Sequence, residues 1–211
     1  MNKIFLDVGG HCGCSIRCFN NLVPDAEDWE KYSFEPNPNL WDEFDGLDTE
    51  LIRDVALDHN GTTSFWIAGK TKCGSTIDML KATRQKLYNN EITKIVASCI
   101  DLSQWIRHKF NEDDYIFLKM DVECAEYPIF DKMLKDGTLS YINLLSGEFH
   151  NERCGVPKSE DERLKKAFKE YGLKFAPWDG MGYCLPHLSE PWHLNEHYDE
   201  VYKNMKEFSY E

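Results

Sequence analysis

The chain has no apolar run approaching the ~18 consecutive residues that a membrane-spanning helix needs. It is also short of positive charge: 24 lysines and arginines stand against 37 acidic residues, a formal net charge of -13. Nucleic-acid surfaces depend on clustered cations that displace counterions from phosphates, and a candidate basic segment, KATRQK at 81–86, holds only three. The same balance disfavours an anionic bilayer as a partner, and no membrane insertion is expected. Repeats, low-complexity tracts and linkers are missing, so 211 residues with 42% apolar content read as a single domain, 1–211. The opening MNKIFLDV places an aspartate inside the only early apolar run, unlike a secretory leader. Eight cysteines without such a leader point to reduced thiols and a cytoplasmic location.

What is present is concentrated first in FLDVGGHCGCS, residues 5–15. A phosphate loop would end in Gly-Lys-Ser/Thr, which does not follow. The dinucleotide register G-x-G-x-x-G needs glycine at position 8, where Val8 stands. Structural zinc prefers two cysteine pairs, or one pair with two histidines. Cys12, Cys14 and Cys18 cluster, but the other five cysteines are scattered, so they read as small apolar fillers and no metal is assigned. There remains a strand ending in Asp7, a glycine turn through Gly9, Gly10 and Gly13, and a second acid, Glu35, ending the next strand. Glycines admit a ligand close to the backbone, and an acid at the second strand's end can accept two ribose hydroxyls. Asp7 adds negative charge suited to a cationic sulfur and an ammonium group.

The rest alternates short β-branched or aromatic runs with amphipathic stretches, an α/β pattern. KIFLDV, KYSFEP, LIRDVAL, TTSFWIA, IVASCI, YIFLKMDV and INLLSGEFH read as strands, YIFLKMDV as the central one. LIRDVAL and TTSFWIA, joined by DHNG, read as a hairpin. Helices are expected over 15–23, over 39–47, from the Asp101 cap, over 125–136 closing on Gly137, and from a Ser159 cap. LKFAPWDGMGYCLP, 173–186, reads as a terminal hairpin. Residues 69–92, with Ser75, read as a mobile cover that ligand would order. The tail 186–211 is a second candidate cover.

FLDVGGHCGCS, FEPNP, DVALDHNGTTSF, CIDLSQWI, LKMDVECAEYPIF and LLSGEFH come in the order and spacing of the FkbM-type methyltransferases, which the chain resembles over about 3–150. The resemblance implies a Rossmann-like class I methyltransferase fold: a mostly parallel sheet with helices on both faces, here with the C-terminal antiparallel hairpin. It implies S-adenosylmethionine as cofactor and O-methylation as the usual chemistry. Carried over, Asp7, Gly9, Gly10, His11, Cys12, Gly13 and Ser15 form the cofactor loop. Glu35, Pro36 and Asn37 serve the ribose, Asp54, Val55 and Ala56 flank the adenine, and Asp121 ends the strand beside the reactive methyl. Two positions depart from the family: His11 replaces an asparagine, and Cys124 replaces the glycine of DVEGAE.

Asp121, Glu148 and His150 lie at the ends of adjacent expected strands, the edge where open α/β sheets bind ligands. They are the candidate catalytic residues, and His150 has the intrinsic pKa best suited to a base. Ser75, Lys119, Glu123 and Trp178 are the candidate acceptor contacts. A divalent ion on the same carboxylates is left open, as is assembly into a homo-oligomer. The acceptor class the family suggests is a sugar or glycan hydroxyl, consistent with aromatics among acids after 177. A non-sugar metabolite and a catalytically idle cofactor-fold module are the alternatives, and an RNA 2′-hydroxyl conflicts with the charge.

Overall fold

The computed structural model describes residues 1–69, 72, 74–76, 92–147, 149–150 and 155–177. Its axis is β1 (Lys3–Val8), which pairs in parallel with β2 (Trp29–Phe34) on one side and β8 (Tyr115–Met120) on the other. With β3 (Glu50–Ile52), β9 (Ile142–Gly147) and β10 (Lys174–Pro177), these make a six-stranded sheet of order β10-β9-β8-β1-β2-β3. Every neighbouring pair in it is parallel. Chain order reverses between β1 and β8, and a crevice opens beyond their C-terminal ends.

Both faces of β1 and β8 are buried, which is why these strands read as mostly apolar runs, interrupted by Asp7 and Lys119, rather than alternating ones. The period of two still sorts them. Ile4, Leu6 and Val8 join Ile116, Leu118 and Met120 on one face, under α2 (Leu102–Lys109), α3 (Glu126–Asp136) and α4 (Lys158–Glu170). Phe5 and Phe117 turn to the other face, against Ile16 and Phe19 of α1 (Cys14–Leu22). Asp101 caps α2 by accepting from the Gln104 amide, and Gly137 at φ 75° closes α3, both as expected.

The middle of the chain departs from the expectation. LIRDVAL is not one strand: β3 ends at Ile52, and β4 (Val55–Leu57) begins a second sheet. In that sheet β5 (Gly61–Ala68) pairs antiparallel with β7 (Ile92–Asp101), not with β4, which lies parallel on β7's other side. DHNG therefore joins two strands separated by a third. β6 (Gly74–Ser75), inside the expected 69–92 cover, pairs with β5; most of that cover lies outside the described residues. The expected helix at 39–47 is a 3-10 turn over Pro38–Phe44, with the Asn37 side chain accepting from the Asn39 amide. Ser159 is inside α4 and Pro157 holds the cap position, its fixed φ of -60° leading into the helix. Of the expected C-terminal hairpin only β10 is described, parallel to β9; the return strand lies outside the described residues. Among the described residues no helix is long and apolar enough to cross a membrane.

The α1 face is held by aromatic stacking: Phe19 lies 4.2 Å from Phe5 in parallel and meets Trp29 edge-on at 5.1 Å. Phe19→Ala is expected to cost about 3–5 kcal/mol, read as a lowered urea midpoint with unchanged slope.

Candidate active site

At one level of the sheet, just below its C-terminal edge, four neighbouring strands each place a polar residue on the same face. Ser33, Asp7, Lys119 and Ser146 are register partners across β2, β1, β8 and β9, and all are buried. Ser33 donates to Asp7 Oδ2 at 2.9 Å. The Lys119 ammonium lies 3.2 Å from Asp7 Oδ1 and 3.7 Å from Asp121 Oδ2, and donates to the Gly9 carbonyl at 2.7 Å. A buried cation is tolerable only when so surrounded, and here it ties the turn after β1 to the end of β8. That closeness explains Gly9. Its φ is +95°, and a Cβ there would stand 1.9 Å from the Asp121 carbonyl oxygen.

The turn then folds over the sheet edge. Gly9 and Gly10 amides both donate to the Phe34 carbonyl, at 3.2 and 2.9 Å, and Gly13 caps α1 at φ 72°. His11 has φ 47°, in the left-handed region where asparagine, the family's residue, is also at ease. Its amide donates to Glu35 Oε2 at 2.7 Å, while the Asn37 amide donates to Glu35 Oε1 at 2.7 Å. Glu35 thus clasps the first turn to the second. Burial pushes its carboxyl up to about 7, against those two N–H bonds and nearby His11, which favour the anion; Asp7 adds a smaller upward push.

Beyond these turns lies a cleft open to solvent. Gly9, His11, Glu35 and Pro36 form one wall; Phe34, Val55, Ala56 and Phe65 an apolar one; Gly74, Thr76, Asp121, Val122, Glu123 and Ala125 the rest. Behind Asp121 sits His150. Its Nδ1 is 2.6 Å from Glu126 Oε1, and its Nε2 is 3.9 Å from Asp121 Oδ1 and 3.7 Å from Glu123 Oε2. The turn between them is strained: Glu123 has φ 53° and Cys124 φ 94°, the latter where the family pattern has glycine. Cys124 is disulfide-bonded, its partner outside the described residues, which corrects the expectation of reduced thiols at this position. Cys12, Cys14, Cys18 and Cys99 carry no disulfide, and burial, with a smaller push from Cys14, raises the Cys18 thiol to about 12, as suits an apolar filler.

Of the residues expected to bind cofactor, Gly9, His11, Glu35, Pro36, Val55, Ala56 and Asp121 line the cleft. Asp7 and Gly10 sit beneath it; Cys12, Gly13 and Ser15 lead into α1. Asn37 is buried and donates to the Lys72 carbonyl at 2.7 Å, and Asp54 accepts from Ser98 beside the second sheet. Of the expected acceptor contacts, Glu123 lines the cleft, Lys119 lies under it, and Ser75 is buried, donating to the Glu123 carbonyl at 2.7 Å. Asp121 and His150 come together. Glu148 and Trp178 lie outside the described residues. The sequence left one participant without a role, Ser33. Glu126, expected only to lie near Asp121, is fully buried at the start of α3, and its position opposite His150 gives it a partner.

Lys119→Met would strand Asp7 and Asp121 without their cation. It is expected to destabilise the fold by about 3–5 kcal/mol in urea titration, and Asp7→Asn added to it should recover part of that loss.

No curated protein and no solved structure matches the chain significantly. The family model for the methyltransferase FkbM domain matches residues 7–175, from the aspartate under the glycine turn to the last described strand. The parallel six-stranded sheet with helices on both faces fits a Rossmann-like methyltransferase fold. The chain belongs to the FkbM methyltransferase family.

Proposed function

We propose that the cleft holds S-adenosylmethionine and that the chain transfers its methyl group to an oxygen of a hydroxylated acceptor, a sugar or glycan first among these. The carrying observation is the position of Asp121: it lines the cleft at the switch point together with Glu35, packed against the glycine turn at Gly9, with His150 directly behind. The residues fit the cofactor in character. Phe34, Val55, Ala56 and Phe65 offer an apolar wall for a purine. Glu35 presents a carboxylate with lone pairs to spare for ribose hydroxyls, since each oxygen already accepts only one amide. When bound, the sulfonium supplies an activated methyl group. What remains for the chain is to align an oxygen and take its proton, and alignment can contribute about 7–11 kcal/mol.

Oxygen is the acceptor favoured here because a neutral hydroxyl must shed a proton as it is methylated. Asp121, Glu123, Glu126 and His150 make a buried group able to accommodate that proton. The lining among the described residues holds no lysine or arginine, which favours a neutral polyhydroxylated acceptor over a phosphorylated one. Glu123 and Asp121 can accept hydroxyl hydrogens in such a ligand.

Two measurements test the reading. A panel of glycans and hydroxylated metabolites, supplied with methyl-labelled cofactor, should yield a labelled ether on a neutral sugar; transfer only to amines or thiols would overturn the oxygen assignment. For the cofactor, ribose hydroxyls donate to the anionic form of Glu35, so binding must release the proton that the free carboxyl holds below about pH 7. Affinity for S-adenosylhomocysteine should rise about tenfold per pH unit up to that point and level off above it. Calorimetry of Glu35→Gln should show weaker binding with that slope removed. An unchanged slope would take Glu35 out of the ribose site.

A further inference from the structure

The mechanism above uses the buried acids beside His150 as one group, but their number and spacing ask for more. Asp7, Asp121, Glu123 and Glu126 are all buried here, and among the described residues Lys119 is the lysine that faces two of them, Asp7 and Asp121. Like charges so confined repel strongly unless protons or a cation neutralise them. The His150 Nε2 faces Asp121 at 3.9 Å and Glu123 at 3.7 Å, too far for hydrogen bonds. Donors sharing one ion at about 2.1 Å would stand about this far apart. Donor atoms of Asp121, Glu126 and His150 all lie within 4.8 Å of one another. The second carboxylate oxygen of Glu126, fully buried, has no hydrogen-bond partner among the described residues.

We propose that Asp121, Glu123 and the Nε2 of His150 form a divalent-cation site at the methyl-transfer centre, with Glu126 orienting the imidazole from Nδ1. Carboxylates joined by one imidazole suit a divalent first-row ion such as manganese. The inference rests on the methyl-transfer reading for its purpose: an ion here would bind the acceptor hydroxyl and lower its pKa, replacing a lone base. It rests on the cluster alone for its existence, and the two can be tested apart.

Chelator-treated protein is titrated with Mn²⁺ alone and followed by electron paramagnetic resonance. The expected result is one saturable site per chain, with spin-echo modulation from a coupled histidine nitrogen. Glu126→Gln and His150→Ala should weaken binding about 10–100-fold or more. Asp58→Asn and His59→Ala, which remove an exposed acid–histidine pair 2.7 Å apart, should leave it unchanged. If the cluster variants do not fold, the wild-type nitrogen coupling together with its retention in His59→Ala still decides the matter. Folded wild type that binds no Mn²⁺ at millimolar concentration, or cluster variants that bind it normally, overturns the site. S-adenosylhomocysteine binding is measured in parallel. Mn²⁺ bound without it upholds the metal site and sinks the transfer reading. Full turnover in EDTA, with S-adenosylhomocysteine still bound, sinks the metal site and leaves transfer standing.

Discussion

One buried ammonium organises the functional end of this fold. Lys119 belongs to the central strand β8, yet it bonds the carbonyl of Gly9 and faces the carboxylates of Asp7 and Asp121. Those three groups are the end of the first strand, the start of the glycine turn and the first residue past β8. Held by one cation, they cannot drift, and the pinning leaves room for hydrogen alone on Gly9. Apolar residues in their place would make a more stable sheet, since buried charges are seldom a net gain. Their presence marks a part of the structure shaped by something other than stability.

The electrostatics point the same way. Outward from Lys119 the charges become almost wholly acidic, with Glu35 on one wall of the cleft and Asp121 and Glu123 on another. Burial pushes the Glu35 carboxyl up to about 7, so the cleft carries less than its full formal charge near neutrality. A cationic donor with hydroxyls to give would settle that charge. On the far side, the Glu126 carboxylate fixes the imidazole of His150 at 2.6 Å, directing Nε2 toward Asp121 and Glu123. A proton leaving an acceptor would find a group already oriented to accommodate it.

Much of the frame was legible in the sequence, because buried parallel strands announce themselves as mostly apolar runs and Asp101 and Gly137 follow capping rules. Strand ends followed, and with them Glu35 and Asp121. The second sheet was not legible. LIRDVAL is uniform in composition, and nothing local shows that the chain leaves one sheet after Ile52 and enters another at Val55. The β5 partner was missed for the same reason: DHNG has hairpin chemistry, but β7, arriving later, offers a ten-residue edge that β4 cannot match. At the site, Ser33 carries no signal in the sequence and Glu126 reads only as a neighbour of Asp121, because ordinary polar residues acquire meaning only through register and burial. Lys119 was noticed but placed among acceptor contacts, whereas the structure puts it beneath the cleft floor.

The central claim is that the crevice pinned by Lys119 is where the cofactor binds, and hydrogen–deuterium exchange of the whole chain with and without S-adenosylhomocysteine tests it most directly. The account predicts slowed exchange confined to residues 9–13, 35–37, 55–57 and 121–125, with the outer reaches of β5 and β7 unaffected. Protection centred elsewhere on a folded chain, or none at saturating ligand, would contradict it.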